Sequence, residues 1–207
     1  MIKAVVFDFG NVICRFDNRI VLKKIAENTG RSMEDLEGIL YRASDMILQY
    51  EKGNVTSDEF FTVVKMKTGL QMSKEEFIHA YTDKFTPIPE TIHAIRSLKG
   101  RYKLGLLSNT SAWDFEHGIQ KVEVFPLFDA VTVSFQVHAL KPAGEIYEDV
   151  LKKLDVLPEE CLYVDDIEEY VHAARSLGMH AVQYRSGHFP QSLTNTLSNI
   201  EGTTALQ

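Results

Sequence analysis

Only two of the 207 residues are cysteine, Cys14 and Cys161, too few and too far apart for a disulfide framework or a thiolate metal cluster. The seven histidines show no HxH or HExxH spacing, so the sequence offers no zinc site of the usual kind. Basic residues are also scarce: 22 Lys and Arg against 29 Asp and Glu leave a net charge of -7. That balance argues against nucleic acid or an anionic membrane as a partner. No apolar run approaches the roughly 20 residues that span a bilayer. The opening MIKAVVFDFGNVI is interrupted by Asp8 and followed by no cleavage pattern, which reads as a buried strand rather than a secretion signal. The expected setting is the cytoplasm, with both thiols packed as small side chains.

What is present suits a soluble domain with one core and room for a modest insertion. Short β-rich runs at 4–10, 102–110, 129–136, 161–166 and 179–184 alternate with helical periodicity at 91–100, 144–154 and 168–178. In the second of these helices Ile146, Val150 and Leu154 fall four apart, on one face. The alternation predicts an α/β fold, a Rossmann-like, mostly parallel sheet covered on both sides. Residues 16–86 break the pattern with four amphipathic segments, including a capping box at Ser73 and Glu76 and a weaker one at Ser32 and Asp35. The reading is a catalytic core of residues 1–15 and 87–207 with a small inserted helical cap at 16–86. Placed after the first strand, the insertion would lie over that strand's end as a lid. The polar tail from Ser186 is expected to hold one short element near 189–197 and then fray.

In such a sheet the ligand crevice lies at the carboxyl ends of the strands. Asp8, Ser108 and the pair Asp165 and Asp166 all stand at such ends. Three carboxylates in one crevice repel one another without a cation, and hard oxygen donors suit magnesium better than a soft metal. A phosphate monoester gives these groups a coherent role. Asp8 attacks phosphorus and forms an aspartyl-phosphate, Ser108 and nearby amides bind the phosphoryl oxygens, and Lys141 neutralises developing charge.

These residues resemble the haloacid dehalogenase-like hydrolase superfamily. Its first motif is matched by VVFDFGNV with Asp8 at the nucleophile position, its second by LLSNT with Ser108, its third by Lys141-Pro142, and its fourth by YVDD followed by an AAxxLGM run at 173–179. The helical insertion is similar to the small cap of that superfamily. The opening DFGNVI looks most like sugar-phosphate phosphatases, some of which resemble α-D-glucose-1-phosphate phosphatase. The resemblance implies magnesium ligation by Asp8, the Gly10 carbonyl and Asp166, with Asp165 acting directly or through water, and Asn109 shaping the phosphate pocket beside Ser108. The implied partner is a small phosphorylated metabolite, handled by a monomer or homodimer.

One position departs from the pattern. Most phosphatases of the superfamily carry an aspartate two residues after the nucleophile, as proton donor and then base; this chain has Gly10. A step commonly worth about 100-fold to 10,000-fold lacks its usual group. Three compensations are open: a good leaving group such as an anomeric hydroxyl, a proton relay from another residue or the substrate, or lost turnover in a binding or scaffold protein. The gap also admits a 2-haloacid dehalogenase, because halide leaves without protonation. Other residues have bland readings: His138 and His172 as surface side chains, Tyr41 and Arg42 as helix surface, Asp17 as a helix cap. Trp113 is placed equally well at the active-site mouth or in packing, Arg15 at the entrance, and Tyr170 near Asp166.

Overall fold

The structure is a computed structural model that describes residues 1–42 and 45–204, with only the backbone described for Pro190 and residues 201–204. Five parallel strands form the main sheet: β1 (Ala4–Phe7), β4 (Lys103–Ser108), β5 (Ala130–Val133), β6 (Cys161–Asp165) and β7 (His180–Gln183), in the order β5-β4-β1-β6-β7. In β1 the side chains alternate between faces, as a period of two requires. Val5 and Phe7 join one core cluster with Leu104, Leu106, Leu162 and Val164, while Ala4 and Val6 join the other with Tyr163. Helices α6 (Pro89–Leu98) and α11 (Phe189–Thr204) cover the first face, and α9 (Gly144–Leu154) and α10 (Glu168–Ser176) the second. The buried stripe of α9 includes Ile146, Val150 and Leu154, with Lys152 and Lys153 in its last turn, where they complement the helix dipole.

Two expectations about elements change. The run at 129–136 is strand only through Val133 and then turns into a short helix, α8 (Ser134–Val137), whose Ser134 hydroxyl is drawn into contacts described below. The tail is a continuous helix through Thr204, held by Phe189, Leu193 and Leu197 in the core.

The chain leaves β1 through a tight loop in which the amides of Ile13 and Cys14 both donate to the Phe9 carbonyl. It enters and leaves the insertion along a two-stranded antiparallel ribbon, β2 (Cys14–Phe16) with β3 (Phe85–Pro87). Between them lie α1 (Asn18–Thr29), α2 (Met33–Glu37) with a π-helical turn at Gly38–Arg42, α3 (Met46–Glu51), α4 (Ser57–Thr68) and α5 (Lys74–Thr82). The capping box at Ser73 and Glu76 is formed, Ser32 accepts from the Asp35 amide, and Asp17 caps α1 by accepting from the Arg19 amide. Helix α3 is short and weakly periodic, and the sequence pattern alone does not reveal it. Among the described residues no helix is long and apolar enough to cross a membrane.

The inserted helices have their own core of Leu22, Ile25, Tyr50, Phe60, Val64 and Phe77, completed by Trp113 from α7 (Ala112–His117), which lies outside the insertion. Trp113 is 3% exposed and packs edge-on against Tyr50, Phe60, Phe77 and Tyr81. It therefore fastens cap to core and does not stand at the mouth.

Candidate active site

Three neighbouring strands supply the floor of the site. Asp8 follows β1, Ser108 ends β4 and Asp165 ends β6, so the parallel register brings residues more than 150 positions apart to one edge. Lys141, from the loop between α8 and α9, joins them. Its Nζ donates to Asp8 Oδ1 at 2.6 Å, to Asp165 Oδ2 at 2.7 Å and to the Tyr163 hydroxyl at 3.1 Å. Asp8, Lys141 and Asp165 are buried, at 6%, 4% and 0% exposure, so these are charge-assisted contacts at reduced dielectric. Burial alone would lower the Lys141 pKa, but the Asp8 and Asp165 charges outweigh it and keep the ammonium protonated. Burial, with Asp165 nearby, raises the Asp8 carboxyl above its ordinary value against the pull of Lys141.

Asp165 is held on both oxygens. The Ile167 amide donates to Oδ1 at 2.8 Å, and the Tyr163 hydroxyl donates to Oδ2 beside Lys141. Burial, together with the Asp165 and Asp8 charges, pushes the Tyr163 phenol well above its usual range, so it serves as a proton-bearing donor. Asp166 is half-buried and takes a hydrogen bond from Asn11 Nδ2 at 3.3 Å. Burial and the neighbouring Asp165 charge raise its pKa.

The donor set fits magnesium. One ligand oxygen from each of Asp8, Asp165 and Asp166 lies within 4.8 Å of the others. All are hard oxygens, and one lysine cation stands against three carboxylates, so a divalent cation would balance the charge of a cluster in which burial, and next the Asp165 charge, already raise Asp8 and Asp166. While Asp8 Oδ1 holds Lys141, its Oδ2 lies on the Gly10 side, 3.9 Å from the point where a Cβ on Gly10 would stand.

Ser108 is buried at 3% exposure and lines a cleft beside Asp8 together with Gly10, Asn109 and Thr110. Asn109 also holds Lys141 by its main chain, because its Oδ1 accepts from the Lys141 amide at 2.8 Å and its Nδ2 donates to the Lys141 carbonyl at 3.2 Å. It therefore splints the lysine to the end of β4. The cap closes the cleft from above with Tyr41, Ile47 and Glu51, and the whole encloses about 90 Å³. At its edge Lys84 Nζ pairs with Asp114 Oδ2 at 3.0 Å, both side chains buried, while Asp114 Oδ1 is buried with no hydrogen-bond partner among the described residues.

Several of these residues are not singled out by the sequence. Tyr163 has a readable signal, since it lies two residues before Asp165 and so on the same side of the strand. Asn11 lies within the first motif but carries no evident role there; its left-handed backbone, φ 54°, turns its amide toward Asp166. Glu51, Lys84 and Asp114 carry no local signal. Of the remaining candidates, His138 is an exposed side chain whose Nδ1 meets the Lys52 carbonyl at 3.1 Å. Arg42 pairs with Glu37 on the surface, Arg15 and His172 are exposed, and the Tyr170 ring lies 4.9 Å from Lys141 Nζ. Cys14 and Cys161 are buried, and burial pushes both thiols up to about 12.

Known proteins resemble this chain along most of its length. D-ribitol-5-phosphate phosphatase of Bacteroides thetaiotaomicron is 28% identical over 207 residues, covering 96% of this chain and 100% of its own. A sesquiterpene phosphatase of Aspergillus oryzae is 31% identical over 179 residues, covering 86% and 87%. A haloacid dehalogenase family enzyme of Bacteroides thetaiotaomicron, solved with magnesium and inorganic phosphate, superposes with a TM-score of 0.78 at 21% identity, over 90% of this chain and 96% of its own. The family model of haloacid dehalogenase-like hydrolases matches residues 2–178, and with its fold and the strand-end cluster around Asp8 in place, this chain belongs to that family.

Proposed function

We propose that this haloacid dehalogenase-like phosphatase is a magnesium-dependent phosphomonoesterase that works through an aspartyl-phosphate on Asp8 and takes a small sugar or polyol phosphate, sugar 1-phosphates included. The observation that carries the reading is Lys141, whose single ammonium spans Asp8 and Asp165 at 2.6 and 2.7 Å. It leaves one Asp8 oxygen for attack while fixing the other, which is how a weak nucleophile is oriented.

Asp8, Asp166 and the Gly10 carbonyl would hold magnesium, with Asp165 contributing directly or through water. Bound there, the ion would neutralise phosphoryl oxygens and reduce repulsion between anionic nucleophile and anionic ester. Ser108 donates to the phosphoryl group from the end of β4, and Lys141 supplies positive charge where it develops in the transition state. Asn109 keeps Lys141 in register. Tyr163 and the Ile167 amide hold Asp165 in one orientation, which keeps Lys141 in place. The substrate class is supported by the relative named for D-ribitol 5-phosphate. The metal is supported by the solved magnesium and phosphate complex of a protein with this fold. A 2-haloacid is a poorer occupant, because its carboxylate would approach Asp165 and Asp166.

The test is phosphate release from a sugar 1-phosphate, ribitol 5-phosphate and an aryl phosphate, with magnesium and with a chelator. Release that depends on magnesium and vanishes in Asp8→Asn is the expected result. Halide release from 2-chloropropionate, or tight phosphate binding by a folded protein that hydrolyses none of the esters, would overturn the reading.

A further inference from the structure

Gly10 leaves the leaving group without its usual proton donor, and the space beside it is narrow. A Cβ on Gly10 would stand 3.1 Å from Phe16 Cε1, close enough that the Phe16 ring, 42% exposed, would have to shift by a few tenths of an ångström. On the floor, Lys141 is committed to two carboxylates and Tyr163 to Asp165.

The roof offers an acid. Glu51 ends α3 and lines the same cleft as Gly10 and Ser108. Its carboxylate makes no hydrogen bond with the described residues, yet its backbone is fixed to the core. Ser134 Oγ donates to the Glu51 carbonyl at 2.6 Å and accepts from the Thr110 amide at 2.9 Å, two residues from Ser108. The following turn is equally tight. His138 meets the Lys52 carbonyl, and a Cβ on Gly53, at φ 74°, would fall 2.1 Å from the Phe135 carbonyl oxygen. Glycine there lets the turn seat directly on the catalytic core. Glu51 therefore comes from the cap but is registered to the phosphate-binding loop.

Resting on the phosphomonoesterase reading, we propose that Glu51 is the general acid and base of this enzyme, in place of the acid missing at position 10. In the first step an Asp8 oxygen bonds to phosphorus, the bond from phosphorus to the ester oxygen breaks, and the departing oxygen takes the Glu51 proton. In the second the Glu51 carboxylate takes a proton from water as that water bonds to phosphorus. The bond from phosphorus to Asp8 breaks, leaving phosphate, the Asp8 carboxylate and protonated Glu51. The groups facing Glu51 suit that role. Burial first, then the Asp114 charge, push its pKa up to about 7 against the pull of Lys84. An acid poised there exchanges protons in both directions near neutral pH. Tyr41 and Tyr81, the other titratable side chains on the cleft wall, are pushed upward by burial and stay neutral.

The experiment compares Glu51→Gln and Glu51→Asp with the original protein on ribitol 5-phosphate and on p-nitrophenyl phosphate, with burst kinetics and pH profiles. The alkyl ester needs its leaving oxygen protonated; nitrophenolate does not. Glu51→Gln should lose about 100-fold to 10,000-fold in kcat on the alkyl ester. It should slow the nitrophenolate burst by less than about tenfold, and the limb of kcat/KM above about pH 7 should disappear. Glu51→Asp should recover part of the loss. Equal slowing of the phosphorylation step on both esters, or a change confined to KM, would overturn the proposal and leave Glu51 as a packing or recognition residue. Failure of the original protein to hydrolyse even p-nitrophenyl phosphate would instead overturn the phosphatase reading beneath it.

Discussion

At the floor of the cleft, Lys141 spans two carboxylates, Tyr163 and Asn11 donate to the carboxylates around it, and Asn109 braces its main chain. At the roof and its edge, Glu51 and Asp114 share the influence of one buried cation, Lys84, and an Asp114 oxygen has no hydrogen-bond partner among the described residues. The floor is thus organised before any ligand arrives, as electrostatic catalysis requires. The roof keeps unsatisfied acceptors facing a small cavity, which a hydroxylated ligand can satisfy and a second anionic group cannot. The floor suits phosphoryl chemistry in general, and the roof bears on which ester enters and how its leaving oxygen departs.

Lys141→Met should break this contrast most severely. It strands two buried carboxylates at the floor, a change that costs about 3–5 kcal/mol. For a chain of this size that lowers Tm by about 10 °C. Calorimetry should show the loss shrinking when magnesium is added, since the ion takes over part of the neutralisation, while activity stays down about 100-fold or more. Trp113→Ala tests how the roof is fastened. Removing an indole that is 3% exposed among Tyr50, Phe60, Phe77 and Tyr81 should cost about 3–5 kcal/mol in denaturant titration. Its damage should fall on the cap, and aryl phosphate turnover should survive better than in Lys141→Met.

A smaller effect sharpens the comparison through pH. Glu51 is raised from 4.5 to about 7 in the folded protein, so between those values the folded state binds the proton that the unfolded state has released. Its contribution therefore makes stability fall as pH rises through that window, and Glu51→Gln removes the penalty. With partial exposure discounting the shift, the variant should be about 1–3 kcal/mol more stable than the original at pH 8 and indistinguishable from it at pH 4.

The same contrast explains what the sequence discloses. The floor is legible because parallel strands place short motifs at predictable ends, so Asp8, Ser108, Asp165 and Asp166 can be gathered from the pattern of β-runs alone. Tyr163 follows from strand alternation, but a tyrosine in a buried strand reads equally well as core. The capping residues Asp17, Ser32 and Ser73 are legible because a cap is decided within four residues. Glu51 is not, because its role depends on Ser134, His138 and Phe135, which approach it only after the cap has folded back across the core. The change of Ser134 from strand to helix belongs to the same event: its hydroxyl serves Thr110 and Glu51, partners that no local periodicity reveals. Gly10 announces a missing group, yet only the three-dimensional arrangement shows Phe16 against it and an acid in the same cleft.

Whether Asp8 is the nucleophile is decided by acid-quenched mass spectrometry of the protein after millisecond mixing with an aryl phosphate and magnesium. One added phosphoryl group is expected on the peptide containing Asp8, absent in Asp8→Asn and longer-lived in Glu51→Gln. Product formed at the full rate with no phosphoryl adduct on that peptide, or an adduct on another residue, would refute nucleophilic attack by Asp8.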